Sequence, residues 1–282
     1  MKLILPQVRY LNEFLTTQNN LQGIFKNIAR AGRICYASSR QGDESEFVKS
    51  CINNGHMRPL EFGTVYLYVD CKDAPQTRIR RVLDHYYDNP YSRVVIKEDK
   101  IYITTNYRVI IENGYDEDLQ FLASHKPEHI KRHTFHWIIS RGIADEFRTH
   151  TAISSLMQST RYCNYSLDKF HNELTFIKPT WVSSCSYDAV PKEQRVFFKA
   201  LEKAEYDYMQ LTDVFNFPAQ YARDVLPLAV KTELIQCAYE KDWNQFFQQR
   251  VEGTTGVPHP DAKFIAEQAY EYYKLTKSGT KE

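Results

Sequence analysis

The chain has 282 residues, of which 43% are apolar and 25% charged, as in an ordinary folded globular protein. Its formal net charge of +1 excludes a protein that holds nucleic acid through bulk charge. No apolar run is long enough to span a membrane and the first ten residues lack an export signal, so we expect no membrane association and a cytoplasmic location. The six cysteines have no zinc-like spacing, which predicts free thiols and no metal site.

The first quarter of the chain alternates between helical and extended patterns. Residues 3–10 predict an edge strand. Helical spacing at 20–33 and 43–54 predicts two helices, the second with Asp43 as its N-cap. A turn is predicted at 33–39, a loop at 55–62 and a strand at 64–70.

Residues 72–132 carry no recognisable chemical motif. One or two strands are predicted at 100–111 and a short helix at 117–124. His125 and His129 have the spacing of ligands on one helical face, but Pro127 between them disfavours a regular helix and hence a metal site.

The second half of the chain has the stronger periodicity. Two strands are predicted, at 133–139 and 173–182. The predicted helices lie at 192–213, from Pro218 onward, at 231–240, at 242–250 and at 261–275.

Between the two predicted strands, residues 146–166 are rich in hydroxyl groups and arginine and contain no Gly, Pro, Asp or Lys. This composition predicts a helix with a hydroxyl-rich face that runs into a turn at 159–162. Arginine and hydroxyl side chains together suit a phosphorylated heterocyclic ligand. A polar helix face bonded to its own neighbours would explain the same composition.

The sequence contains neither a Gly-x-Gly-x-x-Gly motif nor a P-loop, so a bound phosphate would need arginines. The candidates are Arg148, Arg161, Arg223 and Arg250, although any single arginine near a helix end can be structural. Cys163 follows the hydroxyl-rich stretch, and a small buried residue is favoured over a nucleophile there.

Five segments occur in an order that resembles the flavin-dependent thymidylate synthases. One of them, Gly-His-x-x-Pro-x-Glu, begins at Gly55, and the signature region of the family corresponds to 140–166. The segments are Ala-Gly-Arg-Ile-Cys-Tyr at 31–36, Gly-His-x-x-Pro-x-Glu at 55–61, the region 140–166 ending in Ser-Thr-Arg-Tyr-Cys-Asn-Tyr-Ser, Ala-Arg-x-Val-Leu-Pro at 222–227, and 244–250 ending in arginine.

The resemblance implies an α/β (α+β) fold, a mixed sheet with flanking helices. It implies one domain over 1–282 with an insertion at about 72–132, assembled as a homotetramer with active sites built from several subunits. The implied activity is reductive methylation of dUMP to dTMP with bound FAD. Methylenetetrahydrofolate would be the carbon donor and NADPH the reductant.

The resemblance also assigns site residues at matching positions. Arg250 and Ser159 are the expected catalytic residues, with Arg250 at the uracil carbonyl and N3, where a cation stabilises developing negative charge. The expected dUMP-binding residues are Glu146, Ser159, Thr160, Arg161, Arg223 and Arg250. The expected FAD-binding residues are His56, Arg58, Arg148, Thr149, His150, Lys241 and Gln245.

Several positions depart from the family pattern. The family's Arg-His-Arg is absent, and either 148–150 or 149–151 takes its place. Glu146 stands where the family usually has Gln, and Tyr239 and Lys241 replace later flavin-contacting residues. We hypothesise that Arg58 and Lys241 compensate for the lost arginines.

Two other readings remain open. A related enzyme of the same fold could modify a pyrimidine nucleotide differently, for instance by adding a hydroxymethyl group. A non-catalytic protein could retain only the uridylate pocket.

Overall fold

The structure is a computed structural model that describes residues 1–11, 20–37 and 42–278. It is a mixed α/β fold, as predicted. The described helices are α1 (Leu21–Tyr36), α2 (Glu44–Asn53), α3 (Gln76–Tyr86), α4 (Tyr107–Asn113), α5 (Arg141–Phe147), α6 (Arg195–Met209), α7 (Ala219–Ala222), α8 (Glu240–Phe247) and α9 (Pro260–Ser278). None of these helices is both long and apolar enough to cross a membrane.

The described strands form three sheets. Short 3-10 turns occupy Arg58–Phe62, Asp116–Phe121, Asp168–Phe170, Tyr187–Ala189 and Arg223–Val225, and π-helical turns at Gln210–Val214 and Gln248–Glu252 extend α6 and α8. The strands are β1 (Lys2–Ile4), β2 (Gln7–Tyr10), β3 (Thr64–Asp70), β4 (Arg93–Lys97), β5 (Lys100–Asn106), β6 (Arg132–Ser140), β7 (Ser154–Met157), β8 (Thr175–Ile177) and β9 (Lys231–Tyr239).

The largest sheet is antiparallel, in the order β2-β6-β9-β7. Alternate residues of β6 point to one face, where Phe135 and Trp137 are fully buried. Trp243 of α8 and Ile265 of α9 pack into the same cluster. Burying each such side chain contributes about 1.5–3 kcal/mol. This core fixes α5, α8 and α9 against one face of the sheet, while α1 contacts β7 and β9.

The predicted helix at 231–240 is wrong, because this segment is β9, one of the two central strands of the largest sheet. It pairs with β6 along one edge and with β7 along the other. Almost every residue from Leu234 to Tyr239 is buried, so the polar alternation that marks a half-exposed strand is missing. Pairing at both edges outweighs the local helical pattern.

A second antiparallel sheet, β3-β5-β4, lies largely within residues 72–132. β3 precedes that segment but pairs with β5 over its full length, from Thr64 opposite Asn106 to Asp70 opposite Lys100. The segment therefore completes a sheet that earlier residues begin.

Tyr239, the last residue of β9, joins the two larger sheets. Its hydroxyl lies 2.8 Å from the carbonyl oxygen of Thr104 and 3.0 Å from that of Tyr91. The guanidinium of Arg93 lies 4.4 Å from its ring centroid. By resemblance to the family, the residue at this position was expected to contact the flavin. Here Tyr239 connects β9 to the sheet of residues 72–132.

One predicted strand divides into two, and two others are shorter than predicted. The strand at 3–10 divides at Leu5 and Pro6, since proline cannot donate a ladder hydrogen bond; β1 pairs in parallel with β8 and β2 forms the edge of the largest sheet. The segment 100–111 turns into α4 at Asn106, whose side chain accepts from Val109 N at 3.2 Å. The segment 173–182 is extended and paired only over Thr175–Ile177.

The first two predicted helices begin close to where the sequence places them. Asn20 caps α1 by accepting from Gly23 N, and Asp43 caps α2 by accepting from Ser45 N. The turn predicted at 33–39 is wrong over 33–36, where α1 continues until Ala37 adopts a left-handed conformation. Residues 38 and 39 lie outside the described residues.

Candidate active site

The helix predicted from residue 146 up to the turn at 159–162 is wrong, because this stretch contains the end of a helix and then a strand, whereas the turn itself is present. Ser140 caps α5 by accepting from Ile143 N at 3.3 Å. α5 stops at Phe147, where the Thr149 hydroxyl donates to the Glu146 carbonyl oxygen at 2.7 Å. The chain then forms β7, which pairs with β9, before it enters the turn at 159–162. The hydroxyl-rich stretch is therefore spread over two regions.

The first region surrounds Arg250, in the π-helical turn after α8. Its Nε donates to His150 Nε2 at 3.0 Å, and one terminal nitrogen donates to the Glu146 carboxylate at 3.1 Å. The other donates to the Glu146 carbonyl oxygen at 2.8 Å and to the Thr149 hydroxyl at 3.2 Å. Four hydrogen bonds to the end of α5 thus hold the guanidinium of Arg250 in one orientation.

His150 is neutral in this arrangement. Burial, followed by the adjacent Arg250 guanidinium, lowers the pKa of His150 from 6.5 to about 4. Since Nε2 accepts from Arg250, the ring proton lies on Nδ1. His150 therefore helps to orient the guanidinium of Arg250, but its neutral ring carries no positive charge that could bind a phosphate. The Glu146 carboxylate balances the guanidinium instead.

The second region is the turn at 159–162, which contacts the end of α1. Ser159 N donates to the Cys35 carbonyl oxygen at 2.9 Å, and the rings of Tyr36 and Tyr162 lie 5.6 Å apart. The structure thus brings together two motifs that the sequence separates, 31–36 and 159–162. Thr160 is buried, while the Arg161 guanidinium is exposed and lies 5.4 Å from the Tyr162 ring.

A polar cluster on β6 and β9, which the sequence did not reveal, supports this turn. Gln158 N donates to the Glu233 carbonyl oxygen at 2.8 Å. The Glu233 carboxylate binds His136 Nε2 at 2.9 Å and Lys231 Nζ at 2.6 Å. Burial alone would raise the pKa of Glu233, but these two partners lower it to about 2. Lys231 and Glu233 are two residues apart and therefore lie on the same face of β9. This spacing could have indicated the cluster, but the segment was predicted as a helix.

Cys163 is fully buried beside the same turn, in a cluster that includes Ala222. Burial raises the pKa of its thiol, so the thiolate needed for nucleophilic attack is disfavoured. Among the described residues no group of three or more His, Cys, Asp or Glu side chains could hold a metal ion.

The expected dUMP-binding residues form two groups rather than one. Arg250 and Glu146 belong to the first region, and Ser159, Thr160 and Arg161 to the second. Arg223 lies in the 3-10 turn after α7, half-exposed, 3.9 Å from Asp224.

The expected FAD-binding residues are also divided. Arg148 lies 3.4 Å from Asp145 and is half-exposed. His56 and Arg58 lie where the loop after α2 leads into a 3-10 turn, and both of their side chains are accessible. Lys241 and Gln245 line an open pocket of about 710 Å³ with Asn244, Gln248 and Gln249.

The pocket at Lys241 offers one ammonium group and several side-chain amides on one helical face, and Glu240 also lines it. The ammonium and the amides suit a diphosphate and the ring edges of a dinucleotide, because amides both donate and accept and ammonium only donates. The pocket therefore fits part of a flavin dinucleotide. Thr149 and His150, by contrast, are committed to Arg250.

A separate apolar cleft of about 680 Å³ opens where β6 meets α5. Glu146 is the only expected site residue in its wall. Among the other lining residues, Trp181, Leu228 and Phe264 are exposed. The cleft thus adjoins the Arg250 cluster through a single carboxylate.

The chain belongs to the family described as "Thymidylate synthase complementing protein", whose model matches residues 114–274, more than half of the chain. The matched residues include α5, the turn at 159–162, β9 and Arg250. The resemblance inferred from the five motifs is therefore confirmed. No curated protein sequence matches the chain.

Solved structures with a similar fold include the UMP/dUMP methylase PolB from Streptomyces cacaoi bound with 5-Br UMP. It is 13% identical, covers 97% of this chain and 91% of its own, and has a TM-score of 0.46. The complex of PolB with 5-Br dUMP is 12% identical, and the match covers 97% of this chain and 92% of the PolB chain with a TM-score of 0.44. Thymidylate Synthase X (ThyX) from Helicobacter pylori with FAD and dUMP is 16% identical, and the match covers 50% of this chain and 66% of that chain with a TM-score of 0.35. Similarity at this level identifies no substrate.

Proposed function

We propose that this protein is a flavin-dependent thymidylate synthase that methylates dUMP reductively to dTMP. The observation that carries the proposal is the Arg250 guanidinium, which is held by four hydrogen bonds to Glu146, Thr149 and His150 in a member of this family. A fixed cation beside a uracil carbonyl stabilises the charge that develops when the ring is activated. Because it needs no reorganisation at the moment of reaction, its electrostatic effect is large.

The second group is proposed to hold the dUMP phosphate. Arg161 and Arg223 present guanidinium groups that can bind a phosphate through two parallel hydrogen bonds, and Ser159 and Thr160 can donate from hydroxyls. Because active sites built from several subunits are what the resemblance to the family implies, we propose that a second subunit of a homotetramer brings these residues to Arg250. In that arrangement Ser159 lies beside the nucleotide, where we propose that it takes part in catalysis.

FAD is proposed to lie with its dinucleotide part at Lys241 and Gln245, near Arg148 and toward His56 and Arg58. When bound, the flavin supplies the hydride that NADPH provides, and methylenetetrahydrofolate supplies the carbon. The residues of this chain bind and orient these groups, with Lys241 as a charge partner for the diphosphate. We also propose that residues 1–282 form one domain that contains 72–132 as an added segment.

The test is the visible absorption spectrum of the purified protein with and without FAD and dUMP, followed by product analysis with methylenetetrahydrofolate and NADPH. We expect bound flavin, a spectral change on adding dUMP, and dTMP as the product. Protein that takes up no flavin but binds dUMP in calorimetry would contradict the proposal.

Modification of a pyrimidine nucleotide in another way is the second candidate. The observation that favours it is the loss of flavin-facing groups: Tyr239 is bonded to main-chain carbonyls and His150 is bonded to Arg250. The mass of the product separates a methyl from a hydroxymethyl group. Binding of dUMP without any product would indicate a non-catalytic relative.

A further inference from the structure

We propose that Arg108 is a positioning residue of the flavin site, which acts through Glu61 on the loop that presents His56 and Arg58. Arg108 lies in α4, within the added segment 72–132, whereas Glu61 is the last residue of the Gly-His-x-x-Pro-x-Glu motif. The inference rests on the proposed binding of FAD at this loop. The added segment, to which none of the five motifs belongs, would then take part in cofactor binding.

A guanidinium from the added segment holds the side chain of Glu61. Arg108 Nη1 donates to Glu61 Oε1 at 2.6 Å, and Arg108 Nε lies 2.9 Å from the carboxylate of Glu112, one turn later in α4. The side chain of Glu61 is 16% exposed and that of Arg108 is 34% exposed, so solvent reaches this ion pair only in part. The carboxylate of the motif is therefore paired within the chain, with a partner 47 positions later.

A second guanidinium holds the main chain of the same residue. Arg132 Nη1 donates to the Glu61 carbonyl oxygen at 2.8 Å and to the Thr64 hydroxyl at 3.2 Å. Arg132 is buried and is the last residue of the added segment. Tyr107 N donates to the Gly63 carbonyl oxygen at 2.8 Å. The added segment thus bonds to the side chain and the main chain of Glu61 and to the residues that follow it.

These contacts fix the loop that carries two expected cofactor residues. At its start, His56 N donates to the Cys51 carbonyl oxygen at 2.8 Å, and near its end Leu60 and Phe62 are fully buried. The side chains of His56 and Arg58 remain accessible to a ligand. A loop that already has its bound geometry binds more tightly, because less ordering is required when the ligand arrives.

Loss of Arg108 has two consequences for this loop. The side chain of Glu61 is no longer held, so the orientation of the turn depends on the main-chain bond to Arg132 alone. The Glu61 carboxylate also loses its ion-pair partner, and its negative charge then disfavours the diphosphate of FAD. Both effects weaken cofactor binding.

Arg81 in the same segment provides a matched control. Its side chain is 35% exposed, and it donates to the carboxylates of Glu117 at 2.6 Å and Asp118 at 3.0 Å. Neither of these carboxylates belongs to the motif. Arg81→Gln therefore removes a guanidinium bonded to two carboxylates, as Arg108→Gln does, without touching the loop.

The test measures FAD affinity and stability of the full chain side by side. FAD is titrated and followed by flavin fluorescence, and the unfolding free energy is measured by urea denaturation. We expect Arg108→Gln to weaken FAD binding about tenfold, the size of effect expected for one charge-assisted bond. Arg81→Gln should leave FAD affinity unchanged and lower the unfolding free energy at least as much, because the Asp118 side chain is fully buried.

A double-mutant cycle tests whether Arg108 acts through Glu61. We expect Glu61→Gln alone to weaken FAD binding, and Arg108→Gln in that background to cause no further loss. If Arg108→Gln does not fold, Arg108→Lys replaces it. Lysine keeps the charge but cannot bond to both carboxylates in the same way, so we expect FAD binding to weaken at least about threefold.

Several results would overturn the inference. Equal FAD affinities for Arg108→Gln and Arg81→Gln, or additive losses in the double variant, would overturn it alone, provided that the wild-type protein binds FAD and forms dTMP. A loss of FAD affinity that follows the loss of unfolding free energy in both variants would leave Arg108 a structural role only. A wild-type protein that takes up no flavin would overturn both this inference and the proposed function.

Discussion

The Nε of Arg250 lies 3.0 Å from Nε2 of His150, a residue 100 positions earlier in the chain. By resemblance to the family, the first was expected to contact the uracil and the second the flavin. Their hydrogen bond shows that one cluster contains residues assigned to two different ligands. The orientation of Arg250 therefore depends on α5 and the three residues after it.

Replacing Arg250 by Lys tests the guanidinium. Lysine keeps the positive charge but cannot reproduce the planar set of bonds to Glu146, Thr149 and His150. We expect the rate of dTMP formation to fall about 10²–10³-fold, as when a preorganised donor is removed. The control is Arg80→Lys, since the Arg80 side chain is 86% exposed. Similar rates for both variants would show that Arg250 does not act on the substrate.

The depressed pKa of His150 predicts a pH dependence of stability. The pKa of His150 falls from 6.5 to about 4 because of burial and then Arg250. The folded state thus favours the neutral ring, and this stabilisation is present above pH 6.5 and is lost as the pH falls toward 4. We expect His150→Gln to flatten the dependence of the unfolding free energy between these values, measured by urea denaturation. An unchanged slope in the variant would contradict the prediction.

Removal of Lys241 or Arg58 tests the proposed compensation at the flavin site. We expect Lys241→Ala and Arg58→Ala each to weaken FAD retention about tenfold, which corresponds to one lost charge-assisted bond. The measurement is bound flavin after gel filtration, with Lys263→Ala, whose side chain is half-exposed and paired with Glu267, as the control. Retention equal to that of the wild-type protein would show that neither residue compensates.

The substitution Tyr239→Phe tests whether Tyr239 stabilises the fold or contacts the flavin. The single hydroxyl proton of Tyr239 is shared between the buried carbonyl oxygen of Thr104, at 2.8 Å, and the part-buried carbonyl oxygen of Tyr91, at 3.0 Å, and the substitution removes this donor. We expect the unfolding free energy to fall by about 1–3 kcal/mol, with FAD affinity unchanged. Tyr68→Phe, at a half-buried hydroxyl 3.3 Å from Asp70, provides the comparison. A loss of FAD affinity without a loss of stability would place Tyr239 at the flavin.

The sequence was most informative where a local signal defines the structure. The cap predicted at Asp43 is confirmed at the start of α2, and motif order identified the family. It failed at β9, where pairing at both edges removes the alternation of a strand. It also could not show that Ser159 contacts Cys35, because that contact depends on how α1 packs on the sheet.

The candidate site was likewise predictable from the sequence only in part. Arginines could be selected by residue type, but their grouping required coordinates. Glu146 was expected to contact dUMP; the structure shows that its carboxylate pairs with Arg250 and that the residue lines the apolar cleft. The cluster of His136 and Glu233 was missed because neither residue belongs to a motif.

The bond between Tyr239 and the sheet of residues 72–132 has a consequence for how the molecule denatures. β9 is one of the two central strands of one sheet, and its last side chain is buried against β4 and β5 of another. Neither sheet can separate from the other without exposing a buried tyrosine between two cations. We therefore expect a single cooperative calorimetric transition, with amide hydrogens in β5 and β9 exchanging together through global opening.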